Sequence, residues 1–264
     1  MKTKQVIDHI ADWLKAYCHR AGQNGFVVGI SGGVDSAVTS ALCACTGLPT
    51  LCVEMPIHQA ASQVKRAQDH IAWLQEHHGN VHKEVIALTT AFDTLLAALP
   101  GTGDPGQMGL AQANTRARLR MTALYHLAGL HRSLVAGTGN KVEDLGVGFF
   151  TKYGDGGVDL SPIGDLTKTE VYAAAKELGV IESIMIAKPT DGLWGDDRSD
   201  EDQIGASYPE LEWAMELRER KLDPNALDLS ERQRVVLGIF DQRKAANRHK
   251  MEPIPVCVIP AELR

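Results

Sequence analysis

The chain has 264 residues, 44% hydrophobic and 23% charged, a composition that excludes a disordered protein because it supplies enough apolar surface for a folded core. Lys and Arg total 27 against 33 Asp and Glu, and this net charge of −6 argues against a general nucleic-acid binder, which needs a basic face. The sequence shows no signal peptide, no apolar run of roughly 18 residues and no C-x-x-C pair, so we expect a cytoplasmic protein with reduced, mostly buried thiols.

Strands and helices are predicted to alternate through the first 140 residues. Amphipathic spacing predicts helices over residues 4–20, 35–45, 62–77 and 114–130. Short apolar runs with β-branched residues predict strands at residues 26–30, 51–55, 85–88 and 133–136. This alternation predicts an α/β fold, a doubly wound parallel sheet with helices on both faces, in which ligands bind beyond the carboxyl ends of the strands.

The connecting segments are less regular. Glycine and proline crowd residues 99–110, which are predicted to form a loop, and Asn114 is the predicted N-cap of the helix that follows. An acidic loop is predicted over 190–203, and we expect the loops at 100–110 and 190–203 to be mobile without ligand and to order over the site. Helices are predicted over residues 168–178, 209–221 and 230–247. We expect residues 1–264 to form a single domain.

A glycine-rich loop follows the first predicted strand and precedes a helix. Its residues are Gly29, Ile30, Ser31, Gly32, Gly33, Val34, Asp35 and Ser36. Successive glycines let backbone N–H groups converge on an anion, and the helix N-terminus adds a partial positive charge. Asp35 would repel a bare phosphate, so we infer a magnesium ion between them. The loop is neither a Walker A motif nor a dinucleotide fingerprint, and the alternative is a tight turn with a capping aspartate.

This loop resembles the pyrophosphatase loop of the N-type ATP pyrophosphatases, which cleave ATP between the α and β phosphates and attach AMP to the substrate. Further segments narrow the resemblance to ammonia-dependent NAD synthetase, over about residues 4–256. They are residues 114–121, 137–144 and 149–159, Lys168, residues 188–190, and His249 with Lys250. The resemblance implies ATP-dependent amidation of nicotinic acid adenine dinucleotide (deamido-NAD) to NAD with ammonia, through an adenylated carboxylate, with release of AMP and pyrophosphate.

The resemblance also implies roles for single residues around ATP. Asp35 and Glu143 would ligate magnesium, in agreement with the preference of this cation for carboxylate oxygens. Glu143 has an alternative reading as a carboxylate at a helix start, and Lys168 as a solvated lysine. Met55 and Gln59 follow the second strand, where adenine would stack, although a methionine there is more often plain core. The residues implied to bind ATP are the eight of the glycine-rich loop together with Thr138, Lys168 and Thr190.

Another set is implied to contact the acid dinucleotide. Arg118 and Arg120 lie two apart and so face roughly opposite sides of a helix; we assign Arg118 to the substrate and Arg120 to structure or a subunit contact. Asp155 lies in a turn that, in the family, is near the nicotinate carboxylate, and it is expected to hold or deprotonate the ammonium, with an Asx turn as the alternative. The implied deamido-NAD contacts are Arg118, Lys152, Asp159, His249 and Lys250, and the implied catalytic set is Asp35, Glu143, Asp155 and Lys168.

Other functions remain open at this point. A tRNA-thiolating relative would need a basic surface and usually paired cysteines, and a non-catalytic ATP-binding regulator would not need Asp35, Glu143 and Lys168 together. Glutamine-using relatives carry an extra glutaminase domain, for which a loop at residue 29 leaves no room, so free ammonia is the expected nitrogen source. The resemblance implies a homodimer. Apolar stripes on the helices 4–20 and 114–130 would support that contact unless they are buried within one subunit.

Overall fold

The computed structural model of the chain describes residues 1–190 and 199–264. Its sheet has four parallel strands in the order β3-β2-β1-β4. The strands are β1 (Gly25–Gly29), β2 (Thr50–Glu54), β3 (Val81–Val85) and β4 (Ser133–Val135). The predicted parallel α/β sheet is therefore confirmed, and three of the four predicted strands coincide with observed ones.

The third strand was predicted in the wrong place. It spans Val81–Val85 rather than 85–88, and of its five residues only Val81 is buried. An edge strand exposes most of its side chains, so this strand lacks the apolar run used to find it. The apolar residues that follow the strand pack in the core instead of forming it. Leu88, at 8% exposure, lies beneath the sheet at the start of a helix.

Helices cover both faces of the sheet, as predicted. Val27 of β1 faces one hydrophobic cluster, whereas Phe26 and Val28 face the other, because side chains alternate along a strand. The Val27 face is covered by α4 (Thr89–Ala98) and α5 (Pro105–His131). The opposite face is covered by α1 (Thr3–Arg20), α2 (Val34–Cys45), α3 (Ala61–His77), α6 (Lys168–Leu178) and α7 (Glu182–Met185).

Helix α5 begins nine residues before the predicted Asn114 cap, so both the cap and the loop reading of residues 105–110 are wrong. The side chain of Asp104 caps the helix by accepting hydrogen bonds from the N–H groups of Gly106 and Gln107, at 2.8 and 3.2 Å. Pro105 occupies the first turn, where its missing N–H costs nothing. The glycines in this turn suggested a loop, but the cap and the proline determine the local structure.

The C-terminal part forms a second, helical core. A short π-helix (Val142–Val147) packs with α8 (Asp200–Ile204), α9 (Tyr208–Glu219) and α10 (Glu231–Met251) around Phe240 and Leu211, both fully buried. Single 3₁₀ turns lie at Pro224–Ala226 and Ala261–Leu263. Of the predicted acidic loop 190–203, residues 191–198 lie outside the described residues, and Asp200–Ile204 is helical rather than loop.

The apolar stripes that were expected to support a subunit contact are used inside the chain. In α1, Ile7, Ile10 and Leu14 are 7%, 8% and 0% exposed and belong to the core on the sheet. In α5, Ala117 and Leu127 are likewise buried. These stripes therefore give no support to a homodimer.

Two further features bear on the sequence predictions. Cys18, Cys43 and Cys52 are buried free thiols, whereas Cys45 and Cys257 are exposed. In the described part of the chain, no helix combines the length and the apolar character needed to cross a membrane.

Candidate active site

The glycine-rich loop lies at the carboxyl edge of the sheet, between β1 and α2, and its own hydrogen bonds hold its shape. The hydroxyl oxygens of Ser31 and Ser36 are 3.0 Å apart, and Ser36 Oγ donates to the Gly33 carbonyl at 3.0 Å. Gly32 has φ +82°, and a Cβ there would lie 2.7 Å from the Gln63 carbonyl oxygen of α3. Only glycine meets both constraints, so the loop is fixed before any ligand arrives.

A second loop runs beside it, because β4 is the neighbour of β1. Asn140 joins the two loops: its Nδ2 donates to Asp35 Oδ1 at 3.2 Å. Its Oδ1 accepts from the N–H groups of Val142 and Glu143, at 3.1 and 3.2 Å, and so caps the π-helix. Asn140 was not assigned a role from the sequence, although a capping asparagine after the Gly137-Thr138-Gly139 run is a recognisable signal.

Lys168 is the centre of the charged cluster. It is 3% exposed, and its Nζ lies 2.6 Å from Asp35 Oδ2 and 3.0 Å from Glu143 Oε1. Burial alone disfavours the charged ammonium, but the two carboxylates outweigh this effect and raise the pKa of Lys168, so the side chain stays protonated. The structure therefore brings together three of the predicted catalytic residues, and Lys168 is not a solvated lysine.

The capping box of α6 explains this position. The side chain of Thr167 caps the helix with Glu170, which fixes Lys168 as the first helical residue and turns it inward. A lysine at a helix start opposes the helix dipole, and here the carboxylates of Asp35 and Glu143 compensate for it.

Tyr208 and Asp200 complete the cluster and were not predicted. The Tyr208 hydroxyl lies 2.5 Å from Glu143 Oε1 and 3.2 Å from Asp200 Oδ2, and the Lys168 ammonium lies 4.6 Å from its ring centre. Burial and the neighbouring carboxylates raise the pKa of Tyr208, so the phenol stays protonated and can donate. The Ser207 and Glu210 capping box predicts a helix start here, but not the direction of the tyrosine.

The protein supplies only some of the ligands that a magnesium ion needs. Within residues 1–190 and 199–264, no group of three or more His, Cys, Asp or Glu side chains is arranged to hold a metal. Asp35 and Glu143 nevertheless present two carboxylates at the glycine-rich loop, held 2.6 and 3.0 Å from one ammonium. Magnesium is commonly bound by one or two carboxylates together with substrate phosphates and water, and these residues match that pattern.

A cavity of about 230 Å³ opens from the loop toward α5. Its apolar wall includes Met55, Met121 and Leu124, and its polar lining includes Arg120. The Arg120 guanidinium donates to the Met55 carbonyl at 3.0 Å and to Gln59 Oε1 at 2.6 Å, which ties the segment after β2 to α5. Met55 is thus both core, at 8% exposure, and cavity wall.

Several predicted residues line this cavity. They are Thr138, Asp155 and Thr190. Asp155 Oδ1 accepts from the Thr151 N–H at 2.9 Å, four residues earlier in the chain, so this bond is not the Asx turn that was the alternative for this residue. Its place in the cavity lining is compatible with the predicted role.

The residues predicted for the acid dinucleotide divide into two groups. Four surround the segment 148–153: Arg118 donates to the Lys152 carbonyl at 3.2 Å, and Lys152 Nζ donates to the His249 carbonyl at 2.7 Å. Lys250 Nζ donates to the carbonyls of Gly148 and Phe150, both at 2.8 Å. Asp159 lies apart, where it accepts from the Val135 N–H and the Tyr125 hydroxyl. Arg120, rather than Arg118, lines the cavity.

Asp144 is a further buried carboxyl that the sequence did not single out. Burial, followed by the charges of Glu143, Asp155 and Asp35, raises the pKa of Asp144 to about 8. Its carboxyl group lies against Gly139, where a Cβ would approach it to 2.1 Å. The second loop is therefore packed around an acid that is mostly protonated at neutral pH.

The chain is similar in sequence and in structure to known proteins. The model of the family described as NAD synthase matches residues 6–254. A protein of Syntrophomonas wolfei named NH(3)-dependent NAD(+) synthetase is 36% identical over the full length of both chains. An NMN synthetase of Francisella tularensis is similar in structure, with a TM-score of 0.82, 29% identity and 99% of each chain covered. An NH3-dependent NAD synthetase of Campylobacter jejuni gives a TM-score of 0.78 and 25% identity over 98% of this chain and 100% of its own.

Proposed function

This chain belongs to the NAD synthase family, and from that premise we propose that it amidates the carboxylate of deamido-NAD to form NAD, with ATP as co-substrate and ammonia as nitrogen donor. The observation that carries the proposal is the buried Lys168 between Asp35 and Glu143, directly beside a preformed anion loop. A protein that only binds ATP has no need for this arrangement, whereas a reaction that releases pyrophosphate does.

The chemistry takes two steps. In the first, the nicotinate carboxylate oxygen attacks the α-phosphorus of ATP, the bond from that phosphorus to the bridging oxygen breaks, and pyrophosphate leaves with the electron pair. In the second, ammonia attacks the adenylated carbonyl carbon, AMP leaves, and the nitrogen loses a proton. The residues at 29–36 with Thr138, Thr190 and Lys168 hold the nucleotide, and Asp155 accepts that proton.

Magnesium is the cofactor we propose at Asp35 and Glu143. When bound, it supplies positive charge that stabilises the leaving pyrophosphate. The ammonium of Lys168 stabilises the negative charge of the same leaving pyrophosphate. Asn140 orients Asp35 through a hydrogen bond from its side-chain amide at 3.2 Å. Arg118, Lys152, Asp159, His249 and Lys250 remain the proposed contacts to the dinucleotide.

A second candidate is the mononucleotide reaction. The similarity in structure to an NMN synthetase, over 99% of both chains, favours a test in which nicotinic acid mononucleotide replaces the dinucleotide. Both reactions share the activated carboxylate and ammonia, and they differ only in whether the adenylyl half of the substrate contributes binding. A ratio of kcat/KM above one for the dinucleotide supports the first candidate, and a ratio below one supports the second.

We expect free ammonium to support amidation far better than glutamine does. The neutral amine is the nucleophile, so the rate with ammonium should rise with pH while the fraction of neutral amine rises. The measurement is NAD formation by the purified chain with ATP, deamido-NAD and either nitrogen source, with reactions lacking ATP as the control. Equal rates with glutamine alone would contradict the assignment of ammonia as donor.

The proposal extends to the assembly. We propose one NAD synthetase domain over 1–264, acting in the cytoplasm as a homodimer with the dinucleotide at the subunit contact. A permanent dimer should bury roughly 2,000 Å² or more. Exposed apolar residues on α5, Leu110 at 54% and Leu130 at 66%, are available for such a contact. Sedimentation at micromolar concentration tests this, and a fully active monomer of 28.6 kDa would disprove it.

A further inference from the structure

The hydroxyl of Tyr208 holds one oxygen of Glu143, which is one of the two proposed magnesium ligands. It donates to Glu143 Oε1 at 2.5 Å, and the ammonium of Lys168 donates to the same oxygen at 3.0 Å. A carboxylate oxygen accepts about two hydrogen bonds, so these two donors fill Oε1. Both hydrogen bonds that described side chains donate to this carboxylate end on Oε1, and Oε2 is left for another ligand.

The phenol of Tyr208 has one hydrogen and two carboxylates near it. Its oxygen lies 2.5 Å from Glu143 Oε1 and 3.2 Å from Asp200 Oδ2. Hydroxyl groups that donate to a charged carboxylate typically lie about 2.5–2.7 Å from it, so the shorter contact is the one that carries the hydrogen. The phenol therefore donates to Glu143, and not to Asp200.

Tyr208 can hold Glu143 because its own position is fixed by the C-terminal helical core. It is the first residue of α9, its N–H donates to Glu201 Oε1 at 2.8 Å, and its side chain is 4% exposed within the hydrophobic cluster of those helices. Lys168, in contrast, has a flexible side chain that is shared between Asp35 and Glu143. When a phosphate attracts the ammonium, Tyr208 is the partner of Glu143 that stays in place.

The other proposed magnesium ligand is held in a similar way. Asn140 Nδ2 donates to Asp35 Oδ1 at 3.2 Å, so each of the two carboxylates has one neutral donor in addition to the ammonium that they share. Partners of this kind, which bond to a metal ligand and not to the metal, orient the ligand and tune its affinity.

We propose that Tyr208 is a positioning residue for magnesium, because it holds Glu143 Oε1 and leaves Oε2 for the metal. The assignment rests on the proposed function, of which magnesium at Asp35 and Glu143 is a part. Without the phenol hydroxyl, the Glu143 carboxylate is free to turn, and the affinity for magnesium should fall by about tenfold or more, the usual effect of losing such a partner.

The test measures how much magnesium strengthens the binding of a nucleotide that the chain cannot cleave. The full chain is titrated calorimetrically with α,β-methylene-ATP, once with enough magnesium to convert the analogue to its magnesium complex and once with a chelator. The ratio of the two affinities is the coupling between metal and nucleotide. Tyr208→Phe removes only the hydroxyl and keeps the ring, whose centre lies 4.6 Å from the Lys168 ammonium. We expect its coupling to fall by about tenfold or more, with unchanged affinity in the chelator.

Tyr17→Phe is the matched control, because Tyr17 is a half-buried tyrosine of α1 that packs against the other hydrophobic core. Its coupling should equal that of the wild type. Steady-state kinetics add a second readout: in Tyr208→Phe the magnesium concentration that gives the half-maximal rate should rise, while the KM for ammonium stays the same. A purely structural role for the hydroxyl would not produce this difference.

Unchanged coupling in Tyr208→Phe would overturn the positioning role. An equal loss of nucleotide affinity with and without magnesium would also overturn it, because that pattern indicates damaged packing. If magnesium does not strengthen nucleotide binding even in the wild type, the role is refuted together with the metal assignment. A loss of coupling as expected, in a chain whose wild type has no amidation activity, would instead contradict the proposed reaction and leave the role of Tyr208 standing.

Discussion

Replacing Lys168 with methionine is expected to destabilise the folded chain by about 3–5 kcal/mol without magnesium and to lower turnover by at least about a hundredfold. Methionine fills similar volume but leaves Asp35 and Glu143 facing each other, where Lys168 now lies 2.6 and 3.0 Å from them. Breaking a buried ion pair from one side is costly because the remaining charges stay desolvated. The kinetic loss follows from removing a cation beside the leaving phosphates.

The measurement combines urea unfolding and initial rates, each at several magnesium concentrations. Magnesium should narrow the stability gap between the variant and the wild type, because it supplies charge to the same two carboxylates. Lys176→Met lies on the same helix with an exposed side chain, and should change neither quantity. A variant as stable as the wild type in the absence of magnesium would show that the charged cluster does not have the energetic role assigned to it.

Asp35→Asn and Glu143→Gln are each expected to lower turnover by at least about a hundredfold, with a smaller loss of ATP affinity. Each substitution keeps the shape of the side chain and removes one proposed magnesium ligand. Their effect on stability should be smaller than that of the Lys168 variant, and of either sign. Both leave Lys168 with one carboxylate partner, and they reduce the repulsion within the cluster.

A large loss of turnover with little change in stability is what distinguishes a metal and transition-state role from a structural one. Rates are to be measured across a wide magnesium range, with Asp165→Asn as the control, since Asp165 is 95% exposed and pairs only at the surface with Lys141. Near-normal turnover in both carboxylate variants at ordinary magnesium would disprove the metal assignment.

The sequence predicted the fold where local and global signals agree. The strand at 26–30 and the turn after it were identified because a buried strand that leads through glycines into a helix has few alternative structures. The start of α5 was missed because Gly106 and Gly109 suggest a loop, whereas Asp104 and Pro105 form a cap and first turn that tolerate them. Strand β3 was misplaced because an exposed edge strand need not be apolar.

Some residues of the site were predictable from the sequence, but the contacts between them were not. Asp35, Glu143 and Lys168 were identified from short motifs, yet Asp35 and Lys168 lie 133 positions apart and meet because α2 and α6 pack against each other. Tyr208 reaches the charged cluster from α9, and no local pattern marks a side chain that joins a site only through packing. Such contacts depend on tertiary structure, so residue patterns alone do not reveal them.

The charged cluster also joins the two halves of the molecule. Lys168 begins a helix that packs on the sheet, whereas Glu143 and Tyr208 belong to the C-terminal helical core. The N–H and the hydroxyl of Thr169 donate to the Glu212 carboxylate across the same boundary, at 2.8 and 2.7 Å. A phosphate that attracts the Lys168 ammonium is therefore expected to weaken its ion pair with Glu143. The hydrogen bonds between Thr169 and Glu212 would remain in place. We therefore expect nucleotide binding to change how firmly the C-terminal helical core is held against the sheet, with Lys168 as the residue that both regions share.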